Sequence, residues 1–281
     1  MKLLRVGPVG AERPAILDSD GAVRDLSAHV RDLDAAALSP EGLRHIATLP
    51  LDSLPLVDPA TRIGACIARP VNFVCIGLNY LDHAEEAGVP APAEPIVFLK
   101  SLGSICGPND AVEIPPGSEK TDWEVELGVV IGRRAKHITK DAALDHVAGY
   151  CIVNDVSERA YQTERGGTWD KGKGCDTFGP VGPWLVTRDE VPDPQALGLW
   201  CEVDGRMMQN GHTSKMIFDV ATLVSYVSQF ITLHPGDLIA TGTPAGVGLG
   251  VKPQPVYLAP GQRMRLGVEG LGTQEQRLVG G

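Results

Sequence analysis

The sequence lacks any long hydrophobic run. No stretch of its 281 residues approaches the ~18 apolar residues of a membrane span. The segment from Met1 to Pro8 has no apolar core either, so we expect no signal peptide. These absences predict a cytoplasmic protein that has no membrane partner.

Positive charge is also scarce. The chain has 25 Lys and Arg residues against 35 Asp and Glu residues, which gives a net charge of −10. A nucleic-acid partner is therefore not expected, because such proteins present a basic face. Hydrophobic residues make up 43% of the chain, enough for a sizeable globular core.

None of the six cysteines forms a C-x-x-C pair. Several lie in apolar, strand-like runs, such as Cys75 in Phe73–Ile76 and Cys151 in Tyr150–Val153. This placement favours buried free thiols over a disulfide framework.

Regular alternation of strands and helices is absent as well. Strand-like runs outnumber helical ones, which disfavours a doubly wound α/β sheet or a TIM barrel and predicts a mostly-β (α+β) fold. We predict two domains, a small N-terminal α+β domain over residues 1–65 and a second domain over 66–281. The predicted strands are Phe73–Gly77, Ile96–Lys100, Glu124–Ile131, Ala148–Asn154 and Leu238–Ala240.

Turn and cap signals predict further elements. Asp20-Gly21 and Asp204-Gly205 each separate two apolar runs, as in a hairpin. Ser39-Pro40 is a helix start. A helix is predicted from Asp219 through Ile231, ending at His234–Asp237.

Two glutamates lie in an otherwise apolar strand. Side chains alternate along a strand, so Glu124 and Glu126 share the face opposite Trp123, Val125 and Leu127. Adjacent like charges repel and are costly to bury, and a divalent cation relieves both problems. The alternative is a solvated strand face.

A third carboxylate, Asp155, closes the apolar run Tyr150–Asn154. An acid at the end of a buried strand could reach a site at the sheet rim. The alternative role is an N-cap for the helix-like stretch 156–164.

An imidazole and a carboxylate are paired farther upstream. His83 and Glu86 are three residues apart, so they share one face of a predicted helix that follows a Gly turn. A carboxylate beside an imidazole raises its basicity, which suits a general base acting on water. The same spacing also occurs on ordinary surface helices.

Two Gly-rich loops follow. The Lys171–Pro180 loop contains two lysines that could hold a carboxylate or phosphate. The backbone amides of the Thr241–Gly248 loop could bind an anion. Neither loop has a nucleotide-binding pattern.

Five segments in this order resemble the fumarylacetoacetate hydrolase superfamily, over about Asn72 to Gly270. They are Gly77–Tyr80 with Asp82-His83, Asp122–Leu127, Asn154–Ser157 with Arg159 and Gln162, Lys173 with Asp176–Phe178, and Thr241–Pro244. The resemblance implies a mixed β-roll with a small N-terminal domain and homodimeric assembly.

The resemblance also implies roles for individual residues. Glu124, Glu126 and Asp155 would hold Mg²⁺ or Mn²⁺, and His83 with Glu86 would form a catalytic dyad on a mobile lid. Catalytic Lys173 and the substrate-binding residues would contact a 2-oxo-carboxylate; those substrate-binding residues are Arg159, Gln162 and Thr243. Gly174 departs from many relatives, which have Ser after this lysine, so a hydroxyl that would help to orient the substrate beside Lys173 is missing.

The pattern looks most like 2,4-diketo-3-deoxy-L-rhamnonate or fuconate hydrolases and acylpyruvase-like members. The expected reaction is hydrolysis of a C–C bond in a 2,4-dioxo acid, giving pyruvate and a carboxylic acid. Within the superfamily, the alternatives are oxaloacetate decarboxylation or tautomerisation, 2-hydroxy-diene-dioate isomerisation and ureidoglycolate cleavage. From a different class, the alternative is an inert metal- or ligand-binding protein with the same fold.

Overall fold

The fold is built mainly from strands. The computed structural model describes all residues, 1–281, and none of its helices has the length and hydrophobicity needed to cross a membrane. The strands are β1 (Lys2–Val6), β2 (Arg13–Leu17), β3 (Val23–Asp25), β4 (Ile63–Gly64), β5 (Phe73–Gly77), β6 (Ile96–Leu99), β7 (Ile105–Cys106), β8 (Val112–Ile114), β9 (Thr121–Asp122), β10 (Val125–Ile131), β11 (Val147–Asn154), β12 (Ser157–Glu158), β13 (Gly179–Thr187), β14 (Gly198–Val203), β15 (Arg206–His212), β16 (Leu238–Ala240), β17 (Arg263–Val268) and β18 (Gly272–Gly280). The helices are α1 (Pro40–Ala47), α2 (Leu81–Ala87), α3 (Lys140–Ala143), α4 (Arg159–Thr163), α5 (Asp170–Lys173) and α6 (Val220–Val227).

Two large sheets and one small one organise the strands. The largest runs in the order β3-β2-β1-β13-β11-β10-β16-β5-β6, with β4 paired to β1 and β7 to β13. The second runs β15-β14-β17-β18-β8, and β12 pairs with β9 alone. Most pairings are antiparallel, but β16 with β5, β18 with β8 and β13 with β7 are parallel, so the predicted mixed, mostly-β architecture is confirmed.

The central strand β10 is buried on both faces. Val125, Leu127 and Val129 belong to the larger hydrophobic core, together with side chains from the second sheet. Val130, on the opposite face, belongs to a separate core shared with the N-terminal segment. Burial on both faces explains why its carboxylates cannot lie on a solvated strand face.

The N-terminal segment continues the main sheet. Leu3 in β1 pairs with Leu185 in β13, and the side chains of Leu3 and Ile16 share a core with Cys75 and Leu238. The predicted hairpin at Asp20-Gly21 forms between β2 and β3. The division into domains at residue 65 stays a prediction, and this core shows how closely the two parts pack.

Local signals predicted several elements well. Ser39 caps α1 through its hydroxyl, which accepts a hydrogen bond from Gly42 N–H, and Asp219 caps α6 through Thr222 N–H. The hairpin of β14 and β15 forms around Asp204-Gly205. All six cysteines are free thiols, four of them buried, as expected.

The end of α6 was predicted too late in the chain. The helix ends at Val227, whereas the hydrophobic pattern extended to Ile231. Ser228 explains the difference, because its carbonyl accepts a hydrogen bond from His137 N–H and its hydroxyl from Ile138 N–H. Single helical bonds persist beyond Val227, such as that from Ile231 N–H to the Val227 carbonyl, but the Ser228 carbonyl is diverted to His137 and the regular helix does not continue.

Candidate active site

Strand register places the three predicted metal ligands together. In the antiparallel ladder of β10 and β11, Val125 pairs with Asn154, and Asp155 N–H donates to the Glu124 carbonyl at 2.9 Å. Glu124 and Asp155 therefore lie side by side just beyond the last pair. Glu126, two residues along β10, projects from the same face as Glu124.

The three carboxylates form one buried cluster. Each of Glu124, Glu126 and Asp155 offers an oxygen, and these oxygens all lie within 4.8 Å of one another. The exposed fractions of the three residues are 4%, 1% and 1%. Asp155 does not cap a helix, since Glu158 caps α4, so the helix-cap alternative for Asp155 was wrong.

Three cations surround this cluster. Lys173 Nζ lies 2.6 Å from both Glu124 Oε2 and Asp155 Oδ2. Lys100 Nζ lies 2.5 Å from Asp155 Oδ1, and Arg159 approaches Glu124 Oε1 to 2.7 Å. Buried charges are tolerated only when they are paired in this way.

The negative charge of Glu126 is the least compensated of the three. Its recorded hydrogen bond is from Gly242 N–H, at 2.8 Å, and no cation pairs with it directly. Burial, together with Asp155 and Glu124, raises the pKa of Glu126 well above its usual value. Burial also opposes ionisation of Glu124, but Lys173 and Arg159 outweigh it and lower its pKa to about 2.

This donor set fits a hard divalent cation. Mg²⁺ and Mn²⁺ prefer carboxylate oxygens, and the cluster offers one from each of three residues. A cation there would supply the positive charge that Glu126 lacks. The residues present therefore fit either ion, and the geometry does not choose between Mg²⁺ and Mn²⁺.

The predicted dyad is formed on α2. His83 Nδ1 lies 3.2 Å from Glu86 Oε2, and the other oxygen of Glu86 accepts from Gly246 N–H at 3.0 Å. Glu86 is thus fixed between the helix and the following loop. It holds the imidazole with Nδ1 turned toward a carboxylate.

His83, the carboxylates and two of the cations line a single cavity of about 170 Å³. Every predicted site residue lines this cavity except Glu86, which lies behind His83; those that line it are His83, Glu124, Glu126, Asp155, Arg159, Gln162, Lys173 and Thr243. Their individual roles remain predictions, while their convergence is a property of the fold.

The predicted substrate-binding residues are hydrogen-bonded to residues around the carboxylate cluster. Arg159 Nη1 donates to Gln162 Oε1 at 3.1 Å, and Arg159 Nε donates to Asp122 at 2.8 Å. The Thr243 hydroxyl donates to the Val125 carbonyl and accepts from Gln209. Thr243 therefore already uses its proton within the protein, leaving an acceptor lone pair toward the cavity.

The two Gly-rich loops differ from their prediction. Residues 170–173 form the helical turn α5 instead of loop, which delivers Lys173 to the carboxylates. In the second loop, the amides of Gly242, Gly246 and Gly248 bind carboxylates of the protein itself: Glu126, Glu86 and Asp122. That loop therefore holds these three carboxylates in place, where the prediction was a free anion.

Gly174 has no room for a side chain. A Cβ there would lie 2.8 Å from the Asp170 carbonyl oxygen and 3.1 Å from Ser101 Cβ. Ser101 thus occupies the space that a serine at position 174 would need.

Sequence reasoning did not assign roles to Lys100, Asp122, Phe98 and Trp169. Lys100 directly follows the apolar strand Ile96–Leu99, and a lysine at the end of such a run is a signal of a buried partner. Asp122 accepts from Arg159 and from three backbone amides, so it orients the arginine. Phe98 and Trp169 line the cavity, and nothing local marks them as site residues.

The family follows from comparison with known proteins. The family model described as "Fumarylacetoacetate (FAA) hydrolase C-terminal" matches residues 72–279. The chain belongs to the fumarylacetoacetate hydrolase family. A relative from Burkholderia multivorans, described only as a candidate hydrolase, is 64% identical over 276 residues and covers 98% of each chain.

Solved structures of fumarylacetoacetate hydrolase relatives share the whole fold. A 2-hydroxyhepta-2,4-diene-1,7-dioate isomerase from Mycobacterium marinum is 36% identical with a TM-score of 0.78, covering 100% of this chain and 98% of that one. A maleylpyruvate hydrolase from Sphingobium sp. SYK-6, in complex with manganese(II) and pyruvate, is 27% identical with a TM-score of 0.82 and full coverage of both chains. The chain is thus an enzyme of a superfamily that contains hydrolases and isomerases.

Proposed function

We propose that the protein is a Mg²⁺- or Mn²⁺-dependent hydrolase that cleaves a C–C bond of a 2,4-dioxo acid. The products are pyruvate and a carboxylic acid. The supporting observation is that the His83–Glu86 pair and the carboxylate cluster meet at one small cavity. A general base and an oxygen-ligand site are the two components that this reaction needs.

The ion site would be formed by Glu124, Glu126 and Asp155. A bound divalent cation supplies Lewis-acid polarisation of the 2-oxo group and offsets the negative charge that develops on it. Lys173 and Arg159 orient the substrate carboxylate and add positive charge on the same side of the cavity. Lys100 holds Asp155 from behind.

His83 provides the proton transfers. With its Nδ1–H donated to Glu86, the Nε2 atom accepts a proton from water. The water oxygen attacks the C4 carbonyl, the C3–C4 bond breaks, and its electron pair forms the enolate of pyruvate. The proton on His83 then returns to C3, which gives pyruvate and the acid.

Incubation with Mg²⁺ and a panel of 2,4-dioxo acids tests the proposal. Pyruvate release that stops in EDTA and returns with added Mg²⁺ is the expected result. Metal-loaded protein that releases no pyruvate from any member of the panel would overturn it. If the protein is instead an inert binding protein with this fold, it should release no pyruvate but should bind the ligands tightly.

Isomerisation of a 2-hydroxy-diene-dioate is the second candidate. It is favoured by the 36% identity to the isomerase from Mycobacterium marinum. The same base could move a proton between carbons without adding water. A change in the diene absorbance without pyruvate release would identify this reaction.

A further inference from the structure

One side of the active cavity is an aromatic wall. The rings of Phe98 and Trp169 meet edge to face with their centroids 5.4 Å apart, and both line the cavity. Lys173 Nζ lies 5.4 Å from the centroid of the Phe98 ring. The wall therefore begins next to the lysine of the proposed carboxylate-binding end.

Trp169 is seated on a glycine. A Cβ built on Gly77 would lie 2.3 Å from Trp169 Cζ3 and 2.8 Å from Cη2, so the indole occupies the place of a side chain there. Gly77 ends β5, which is buried in the main sheet. The position of the wall is thus fixed by the sheet through the absence of a side chain.

Trp169 also begins the helical turn α5 that carries Lys173. The Trp169 carbonyl accepts hydrogen bonds from Gly172 N–H at 2.9 Å and from Lys173 N–H at 3.1 Å. Seating the indole on Gly77 therefore also locates the start of α5. Trp169 links the apolar wall to the lysine.

No uncommitted cation lines this cavity. Arg159 and Lys173 are its only Arg or Lys residues, and both are in ion pairs with buried carboxylates. His83 faces Glu86. Against the wall of Phe98 and Trp169, a second carboxylate on the substrate would have no cation to pair with, which is costly.

The cavity is also small. Its volume of about 170 Å³ lies below the ~300–1,000 Å³ of sites for drug-sized ligands. We propose that Trp169, seated on Gly77, selects 2-oxo acids whose distal group is short and uncharged, and discriminates against those ending in a second carboxylate. This inference rests on the proposed function for the reaction, but its test does not.

A matched pair of unreactive ligands tests the inference. 2-Oxopentanoate and 2-oxoglutarate have the same carbon chain length, differ in the distal carboxylate, and lack the 4-oxo group required for cleavage. Isothermal titration calorimetry on the Mg²⁺-loaded full chain should show 2-oxopentanoate binding at least about tenfold more tightly.

Three variants locate the effect. Trp169→Ala should reduce the preference for 2-oxopentanoate to within about threefold, because it removes the wall. Trp169→Phe, which keeps an aromatic ring, should retain most of the preference. Phe230→Ala, at an aromatic residue that is 69% exposed and outside the cavity, should leave it unchanged.

The outcomes separate the two proposals. Equal or tighter binding of 2-oxoglutarate by the wild-type protein would overturn the specificity inference whether or not dioxo acids are cleaved. An unchanged preference in folded Trp169→Ala would overturn the role of Trp169. If 2-oxopentanoate binds more tightly as expected but no dioxo acid releases pyruvate, the hydrolase proposal is wrong and the specificity inference is supported.

Discussion

Two networks of ion pairs in this molecule have similar short contacts and very different surroundings. The peripheral network joins the N-terminal segment to the rest of the chain, and its members are Arg5, Glu12, Asp32, Arg62 and Asp110. The buried cluster surrounds the cavity, and its members are Lys100, Asp122, Glu124, Glu126, Asp155, Arg159 and Lys173. Side chains of the peripheral network are 10–27% exposed, whereas those recorded in pairs of the buried cluster are 0–6% exposed.

Solvent decides what an imbalance of charge means. In the peripheral network, water can compensate a carboxylate that exceeds its partners, so the network needs no ligand. In the buried cluster, four carboxylates face three cations, and Glu126 is left with a single amide donor. Only a proton on Glu126, in keeping with its raised pKa, or a bound cation can offset the excess negative charge there. Similar contacts therefore indicate stability in the peripheral network and a ligand site in the buried cluster.

Replacing Glu126 should have the largest effect of any change in the buried cluster. In Glu126→Ala the buried cluster becomes balanced in charge but loses a metal oxygen, so metal binding should be lost and turnover should fall about 10⁴-fold. Calorimetric titration with Mg²⁺ and pyruvate release measure the two effects. Glu41→Ala, at an exposed helix position, is the control. Retained metal affinity in Glu126→Ala would contradict the assignment.

Replacing His83 should separate binding from chemistry. His83→Ala keeps all three carboxylates, so metal affinity should stay near that of the wild type while turnover falls about 10³-fold. Steady-state pyruvate release and Mg²⁺ titration test this together, with the exposed His29→Ala as control. Hydrolysis at the wild-type rate would show that the dyad assignment is wrong.

Replacing Lys100 measures how much a fully buried ion pair contributes to the stability of the protein. Its ammonium is fully buried against Asp155, so Lys100→Met should lower the free energy of unfolding by about 3 kcal/mol in metal-free protein. Added Mg²⁺ should recover part of this loss by neutralising Asp155. Urea denaturation with and without Mg²⁺ is the measurement. A loss that Mg²⁺ leaves unchanged would argue against an ion beside Asp155.

Arg62 provides the matching measurement in the peripheral network. It pairs with Asp110 and Glu12 at 2.5 and 3.0 Å, but it is 27% exposed. Arg62→Met should therefore cost only about 1 kcal/mol, with no dependence on Mg²⁺. A cost equal to that of Lys100→Met would remove the distinction between the two networks.

The sequence predicted the fold class and also which residues meet at the cavity. Period-two alternation placed Glu124 and Glu126 on one face, and the ordered motifs added Asp155 and His83. The first inference depends on short-range geometry that any strand has, whereas the other two came from the resemblance to the family. The family comparison confirmed the fold class.

Long-range features escaped prediction. Lys100 becomes a site residue only because β6 ends opposite Asp155, a contact across 55 residues of chain. The pairing of β1 with β13 joins residues about 180 apart, and no local pattern contains that information. The late end predicted for α6 has the same origin, since Ser228 bonds to residues 137 and 138.

The register of β10 and β11 has a consequence for insertions and deletions. Asp155 meets Glu124 because Val125 pairs with Asn154, and side chains alternate faces at each residue. One residue added between Cys151 and Asn154 would turn Asp155 away from the cavity, whereas one added in the connection before Val147 would leave the pairing intact. Length variation in this protein's homologues should therefore be confined to connections, and the two strands should keep a constant residue count.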